Sequence, residues 1–172
     1  LRNGKKLGDT EMTDTMIKDG LWDAFHGYHM GVTAENVATK FQVTRDDQDK
    51  FALRSQEKAL AAQKENRFQD EIINFKIKSK KNEIDFKVDE HPRADINLEA
   101  LKRLKTVFKK DGTVTAGNAS GINDGAAAIV LASADAAERA GLTPKFRLLG
   151  YGHAGVRPEV MGIGPVPAVE NL

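Results

Sequence analysis

The residues with the most chemical capacity lie in one short string, G-N-A-S-G-I-N-D-G, from Gly117 to Gly125. Three glycines alternate there with small polar residues, so backbone N–H groups can approach a ligand while Asn118, Ser120 and Asn123 donate or accept. The same string reads equally well as a tight connection whose Asn and Asp side chains satisfy their own backbone. It is not a phosphate-cradling P-loop, because the Lys and the fixed spacing of that motif are absent. A second candidate is G-Y-H-M-G, where Met30 suits an adaptable apolar pocket and His29 can bond a polar ligand or hold the loop. Unaided, a lone His and Met in a glycine-flanked turn read as structural. Arg93 follows Pro92 and could meet a phosphate or stack on a base. A surface pair with Asp89 or Glu90 is the better unaided reading of it. The run M-G-I-G-P-V-P-A from Met161 is apolar and rigid, and either lines a pocket or connects elements.

No complete catalytic set accompanies these candidates: there is no nucleophile beside a base and no carboxylate pair at a recognisable spacing. His26, His91 and His153 lack partners at metal-ligand spacing, so no metal is assigned. The chain has no cysteine, which removes disulfides, thiolate metal sites and a thiol nucleophile from these residues. A net charge of +1 argues against a nucleic-acid binder, which needs a basic excess gathered on one face. With no run of about 18 apolar residues and no basic-then-apolar leader, neither membrane spanning nor secretion is expected. The expectation is a soluble protein of the cytoplasm. Because the first residue is Leu1 and no start or stop signal stands out, the sequence also reads as a piece of a longer chain.

The elements that must position these residues fall into two regimes. Of the 51 charged residues, 41 precede Asp111, whereas ten of the 15 glycines and four of the five prolines follow Lys110. The first regime therefore reads as solvated and helical, the second as tightly turned, buried backbone joined near Gly112. Thr33 is the expected N-cap of a helix over Ala34 to Phe41, and Thr44 with Asp47 forms an Asp-type capping box for a long helix to about Asn66. Phe51, Ala52, Ser55, Ala59 and Ala62 recur at helical spacing along its expected inner face. Alternation over Glu71 to Lys78 and Glu83 to Val88 predicts a hairpin with its turn at Ser79 to Asn82. Asn97 is the expected cap of a third helix through Leu98, Leu101 and Leu104. Beyond Gly112, Thr113 to Ala116 reads as extended, Ala126 to Ala132 as a buried strand, Ser133 to Gly141 as a capped helix, and Phe146 to Tyr151 as a further strand. That order implies an α/β core, only a piece of which is present, because one or two strands cannot bury both faces.

Together, M-I-K-D-G-L-W-D-A-F (Met16 to Phe25), H-M-G-V-T-A-E-N-V-A (His29 to Ala38), R-D-D-Q-D-K-F-A (Arg45 to Ala52), G-T-V-T-A-G-N-A-S-G-I-N-D-G-A-A-A (Gly112 to Ala128) and M-G-I-G-P-V-P-A (Met161 to Ala168) resemble the thiolases, most closely the short-chain type. The resemblance covers essentially the whole chain. It implies a layered α/β/α/β/α core with a large inserted α+β loop domain: residues 1–121 as the loop (lid and CoA-binding) domain, 122–146 as the end of the first core half, and 147–172 as the start of the second. It implies condensation of two acetyl-CoA to acetoacetyl-CoA plus CoA, and the reverse thiolysis, with CoA thioesters as substrates and no other cofactor. The family's Cys nucleophile, His and second Cys would come from outside these residues, so the chain carries no catalytic residue and alone is expected to be inactive.

By resemblance, Ser120 bonds the pantetheine arm and Ala116, Gly117 and Ala119 line it. Arg93 lies near the adenine and phosphate end, His29 and Met30 flank the pantetheine and acyl region, and Leu21 and Met161 are apolar pocket residues. Some family members carry a Tyr in a potassium site where this chain has Gln56, so no potassium requirement is expected. The opening L-R-N-G-K-K-L-G-D-T resembles the segment through which tetrameric thiolases pair their dimers, which implies a homotetramer. The alternatives are an inactive thiolase-like CoA-binding module and a structural remnant.

Overall fold

The computed structural model describes residue 4, residues 7–78 and residues 82–172. Its helices are α1 (Met30–Phe41), α2 (Arg45–Lys64), α3 (Leu98–Lys102), α4 (Ala134–Arg139) and α5 (Pro165–Glu170), joined by a π-helical turn at Met16–Gly20 and a 3-10 helix at Pro158–Ile163. The strands β1 (Phe75–Lys78) and β2 (Glu83–Phe86) make one antiparallel hairpin. α1 packs on the 3-10 helix and α2 on α3.

α1 begins at Met30 rather than Ala34, because His29 and not Thr33 is its cap. The extended backbone at His29 lets its Nδ1 accept the Gly31 N–H at 3.0 Å, while the Thr33 hydroxyl, already inside the first turn, donates to the Met30 carbonyl. Gln42, in the left-handed region at φ 54°, ends the helix, and the Val43 N–H closes on the Ala38 carbonyl.

α2 starts as its sequence predicts. Thr44 Oγ1 accepts the Asp47 N–H, and the Asp47 carboxylate accepts from the Thr44 N–H and hydroxyl. The Thr44 hydroxyl, with its backbone N–H, holds the Asp47 carboxyl below the ordinary value of 3.8. A folded-state value below the unfolded one stabilises fully above the unfolded value and is lost as pH falls through the folded one. Thr44→Ala should therefore lower the urea midpoint at neutral pH, and the gap to the parent should narrow as the pH falls below 3.8, leaving the part due to the cap bond from the Asp47 N–H. A gap that is constant across that range would refute the assignment.

The covered face of α2 overlaps the expected one and is shifted from it: Ala52, Ala59 and Ala62 are half-buried, but Phe51 is 72 % exposed and Ser55 is exposed, whereas Asp49, Leu53, Gln56, Leu60 and Gln63 also turn inward. An acid, Asp49, is the most deeply buried residue of this face, which apolar periodicity does not register. The hairpin forms with Phe75 opposite Phe86 and Ile77 opposite Ile84, which puts four apolar side chains on one open face. Its strands are shorter than expected, and Ser79 to Lys81 of the expected turn lie outside the described residues, as do Leu1 to Asn3, Lys5 and Lys6 of the segment compared with the tetramer-forming one.

α3 and α4 are capped as read: Asn97 accepts the Ala100 N–H, Ser133 accepts the Ala136 N–H, and Gly141 at φ 66° follows the end of α4. The expected strands at Ala126 to Ala132 and Phe146 to Tyr151 do not form, and the backbone there is exposed rather than buried. Val130 is 91 % and Phe146 95 % exposed. A strand exists only by pairing, and the described residues offer these segments no ladder partner. The Met161 to Ala168 run is helical rather than a plain connection, with Pro158 and Pro165 at helix starts. The apolar residues buried among those described are Ala38, Leu101, Val114, Ala137 and Val160, and they are matched by the buried polar set Asp23, Thr33, Glu35, Asp49 and Thr115.

Candidate functional site

A cleft of about 590 Å³ lies between α2, α3 and the loop after Thr115. One wall is apolar, from Ile96, Ala100, Leu101 and Leu104; another is the near-bare backbone of Ala116, Gly117 and Ala119; Gln56, Glu90, His91, Arg93 and Asp95 supply polar groups. The close approach of the two walls explains the glycine. A Cβ at Gly117 would lie 2.5 Å from both Leu101 Cδ2 and Leu104 Cδ1. Gly117→Ala should push the loop off α3, costing about 2 kcal/mol by overpacking. Urea unfolding checks it, and a variant as stable as the parent would show that the loop yields freely.

Arg93 sits at the mouth of this cleft. Its N–H donates to Gln56 Oε1 at 2.9 Å, which fixes the backbone, and its guanidinium pairs at 3.4 Å with Asp95 rather than with Asp89 or Glu90. The Arg93 hydrogen bond holds the Asp95 carboxyl below its usual range. Both side chains are largely exposed, so the pair is weak and a stronger anion can displace Asp95 from the guanidinium.

The loop wall is held by acids from two helices. Glu35 of α1 is buried and accepts from the Thr113 N–H, the Thr113 hydroxyl and the Val114 N–H at 2.8–2.9 Å. Asp49 of α2 accepts from Asn118 Nδ2 at 3.0 Å and from Arg45 Nε at 2.8 Å. The backbone adds the bridge of Thr106 with Thr115, the bond from the Val107 N–H to the Val114 carbonyl and, within the loop, that from the Asn118 N–H to the Thr115 carbonyl.

Leu21, His29 and Met30 gather separately, at the start of α1. The Met30 N–H donates to the Leu21 carbonyl at 2.8 Å, and Trp22 and His29 bridge the loop between them. The His29 ring stacks on Phe108 with centroids 4.6 Å apart, and accepting at Nδ1 leaves its proton on Nε2. Met161, half exposed, sits on the 3-10 helix that packs against α1, where Asn36 donates to the Glu159 carbonyl at 3.0 Å. Ser120 is exposed, one residue past the part of the loop that lines the cleft.

The structure thus joins Arg93, Ala116, Gly117 and Ala119 in one cleft. Leu21, His29, Met30, Ser120 and Met161 do not line it. Sequence reasoning missed Glu35, Asp49, His91 and the apolar wall; only the Arg45–Asp49 spacing of four residues hinted at a pair, and it reads as a surface one. A second cavity of about 440 Å³, between the end of α2 and the segments that flank the hairpin, contains none of the candidate residues.

Residues 1–135 match the family described as thiolase, N-terminal domain. The chain belongs to the thiolase family. An acetyl-CoA acetyltransferase of Paracoccus denitrificans is 56 % identical over 165 residues, 96 % of this chain and 42 % of that protein. Among solved structures, the acetyl-CoA acetyltransferase of Bacillus anthracis superposes with a TM-score of 0.87 at 48 % identity, over 98 % of this chain and 43 % of that one. Human mitochondrial 3-ketoacyl-CoA thiolase in complex with CoA gives 0.83 at 45 %, over 99 % and 42 %. The chain therefore spans just over two fifths of these relatives, and its fold is a partial thiolase-like α/β fold. Among the described residues no helix is long and apolar enough to cross a membrane.

Proposed function

We propose that this thiolase segment is the coenzyme-binding part of an acyltransferase that condenses two acetyl-CoA to acetoacetyl-CoA plus CoA and runs the reverse thiolysis. The observation that carries the reading is the cleft that unites Arg93 with Ala116, Gly117 and Ala119 in a chain of this family. A pantetheine arm alternates amides with short methylene runs, and it suits a cleft that offers the apolar surface of Ile96, Ala100, Leu101 and Leu104 together with the nearly bare backbone of Ala116, Gly117 and Ala119. Arg93 at the mouth suits a phosphate, which would take its guanidinium from Asp95. Ser120, at the outer end of the loop, is assigned to the pantetheine amides. Leu21, His29, Met30 and Met161 are assigned to the acyl end.

The condensation forms a carbon–carbon bond between one acetyl methyl carbon and the other acetyl carbonyl carbon, and releases one CoA as thiol. With no cysteine in these 172 residues, covalent thiol chemistry cannot be theirs. Their part is to fix the thioester in reach of groups supplied elsewhere. The substrates are CoA thioesters with no further cofactor, the assembly a homotetramer, and the compartment the cytoplasm.

Calorimetry with CoA and acetoacetyl-CoA thiolysis by the complete protein carrying this segment test the reading. Arg93→Ala should raise the KM for CoA roughly fivefold, the loss of one charge-assisted contact at a solvated site. Met30→Ala should broaden acyl-chain tolerance. A parent that neither binds CoA nor cleaves acetoacetyl-CoA would leave the inactive-module and remnant readings instead.

A further inference from the structure

We propose that Arg45, Asp49 and Asn118 form a positioning relay that ties both walls of the cleft to α2 and so sets its width; this rests on the coenzyme reading of that cleft. None of the three lines the cleft, yet each wall hangs from them. Arg45 Nη2 donates to the Leu101 carbonyl at 2.6 Å and to the Leu104 carbonyl at 3.2 Å, which are the two residues whose side chains face Gly117. The Nε of the same guanidinium donates to Asp49 Oδ2 at 2.8 Å. The other oxygen of Asp49 accepts from Asn118 Nδ2 at 3.0 Å.

Asn118 then shapes the other wall from within. Its Nδ2 also donates to the Thr113 carbonyl at 2.9 Å, and its Oδ1 accepts the Thr115 N–H at 2.8 Å, so Ala116 and Gly117 are enclosed in a loop pinned at both ends. Farther along the same helix face, Gln56 holds the Arg93 backbone at the mouth. Asp49 is 0 % exposed. Burying an ion pair brings little net stability, because desolvation offsets the attraction, so such a pair is better suited to fixing one geometry than to holding the fold together. The geometry fixed here is the seating of the loop on Leu101 and Leu104, whose contact with Gly117 sets how far the rest of the cleft opens.

The relay acts through the ligand-binding step and not through the chemistry. In the complete protein, Asn118→Ala and Arg45→Lys should each raise the KM for CoA in thiolysis about fivefold while kcat stays within about twofold. Because both act through Asp49, the double variant should raise KM no more than about twice the larger single effect. The full product of the two single effects would overturn the relay, and so would an unchanged KM in either single variant. If the double variant fails to fold, Asp49→Asn decides: it keeps the shape and removes the charge, and a KM equal to the parent's overturns the proposal. Calorimetric binding of CoA by the parent separates the two layers. A parent that does not bind CoA overturns the coenzyme reading and the relay's role with it, whereas a binding parent with unaffected variants overturns the relay alone.

Discussion

Glu35→Ala should destabilise the folded chain by about 4 kcal/mol, from several hydrogen bonds to a buried charge each worth about 1–3 kcal/mol. The Glu35 carboxylate is 3 % exposed by residue and takes both N–H groups of the Thr113–Val114 pair together with the Thr113 hydroxyl. The chain wraps so closely that a Cβ on Gly112 would lie 2.5 Å from Glu35 Oε1. Val114 is buried and Thr113 half-buried, so without the acid the Val114 N–H in particular is left in the interior without a partner. Glu35→Gln keeps one acceptor oxygen and should lose about half as much. Urea unfolding of the three proteins gives the order parent, Gln, Ala; an Ala variant with the parent's midpoint would show that the segment finds other partners.

The second large effect is expected at Leu101, which is 1 % exposed and the most buried apolar side chain of the fold. Leu101→Ala removes its branched end from between α3 and the loop and should cost about 3 kcal/mol. The loss has a particular location. Since Leu101 Cδ2 is one of the two side-chain atoms that a Cβ on Gly117 would strike at 2.5 Å, Gly117→Ala should cost less in the Leu101→Ala background than alone, the contact with Leu104 Cδ1 remaining. Additive costs would mean that the loop and α3 do not meet as described.

What could be read in the sequence was what local chemistry decides. The Thr44–Asp47 box, the Asn97 and Ser133 caps, the stop at Gly141 and the hairpin each need only a few neighbouring residues, and all are present. The strands at Ala126 to Ala132 and Phe146 to Tyr151 were misread because an apolar run records a preference for burial, and burial requires a partner that a run cannot specify. The cap at His29 was missed because an imidazole accepting through Nδ1 replaced the commoner hydroxyl. For the cleft, the glycine string located one wall and Arg93 the mouth. The acids behind them were invisible: Glu35 and Asp49 sit in helical stretches where a carboxylate ordinarily faces water, and only their distant partners, Thr113 and Asn118, reveal that they are buried. The thiolase resemblance supplied the family, which spacing alone did not reach.

The open segments of the second regime bear on handling the chain by itself. Ala126 to Ala132 combines Ile129, Val130 and Leu131 with no charge and no proline, and Ile129 is 84 % exposed. A stretch of that kind, short, β-prone and unpaired, is a template for edge-to-edge association between molecules. With a net charge of only +1 there is little long-range repulsion to keep two copies apart. Concentrated solutions of the isolated chain should therefore form cross-β aggregates seeded at this run, and a single lysine at Val130 would be the simplest gatekeeper against them.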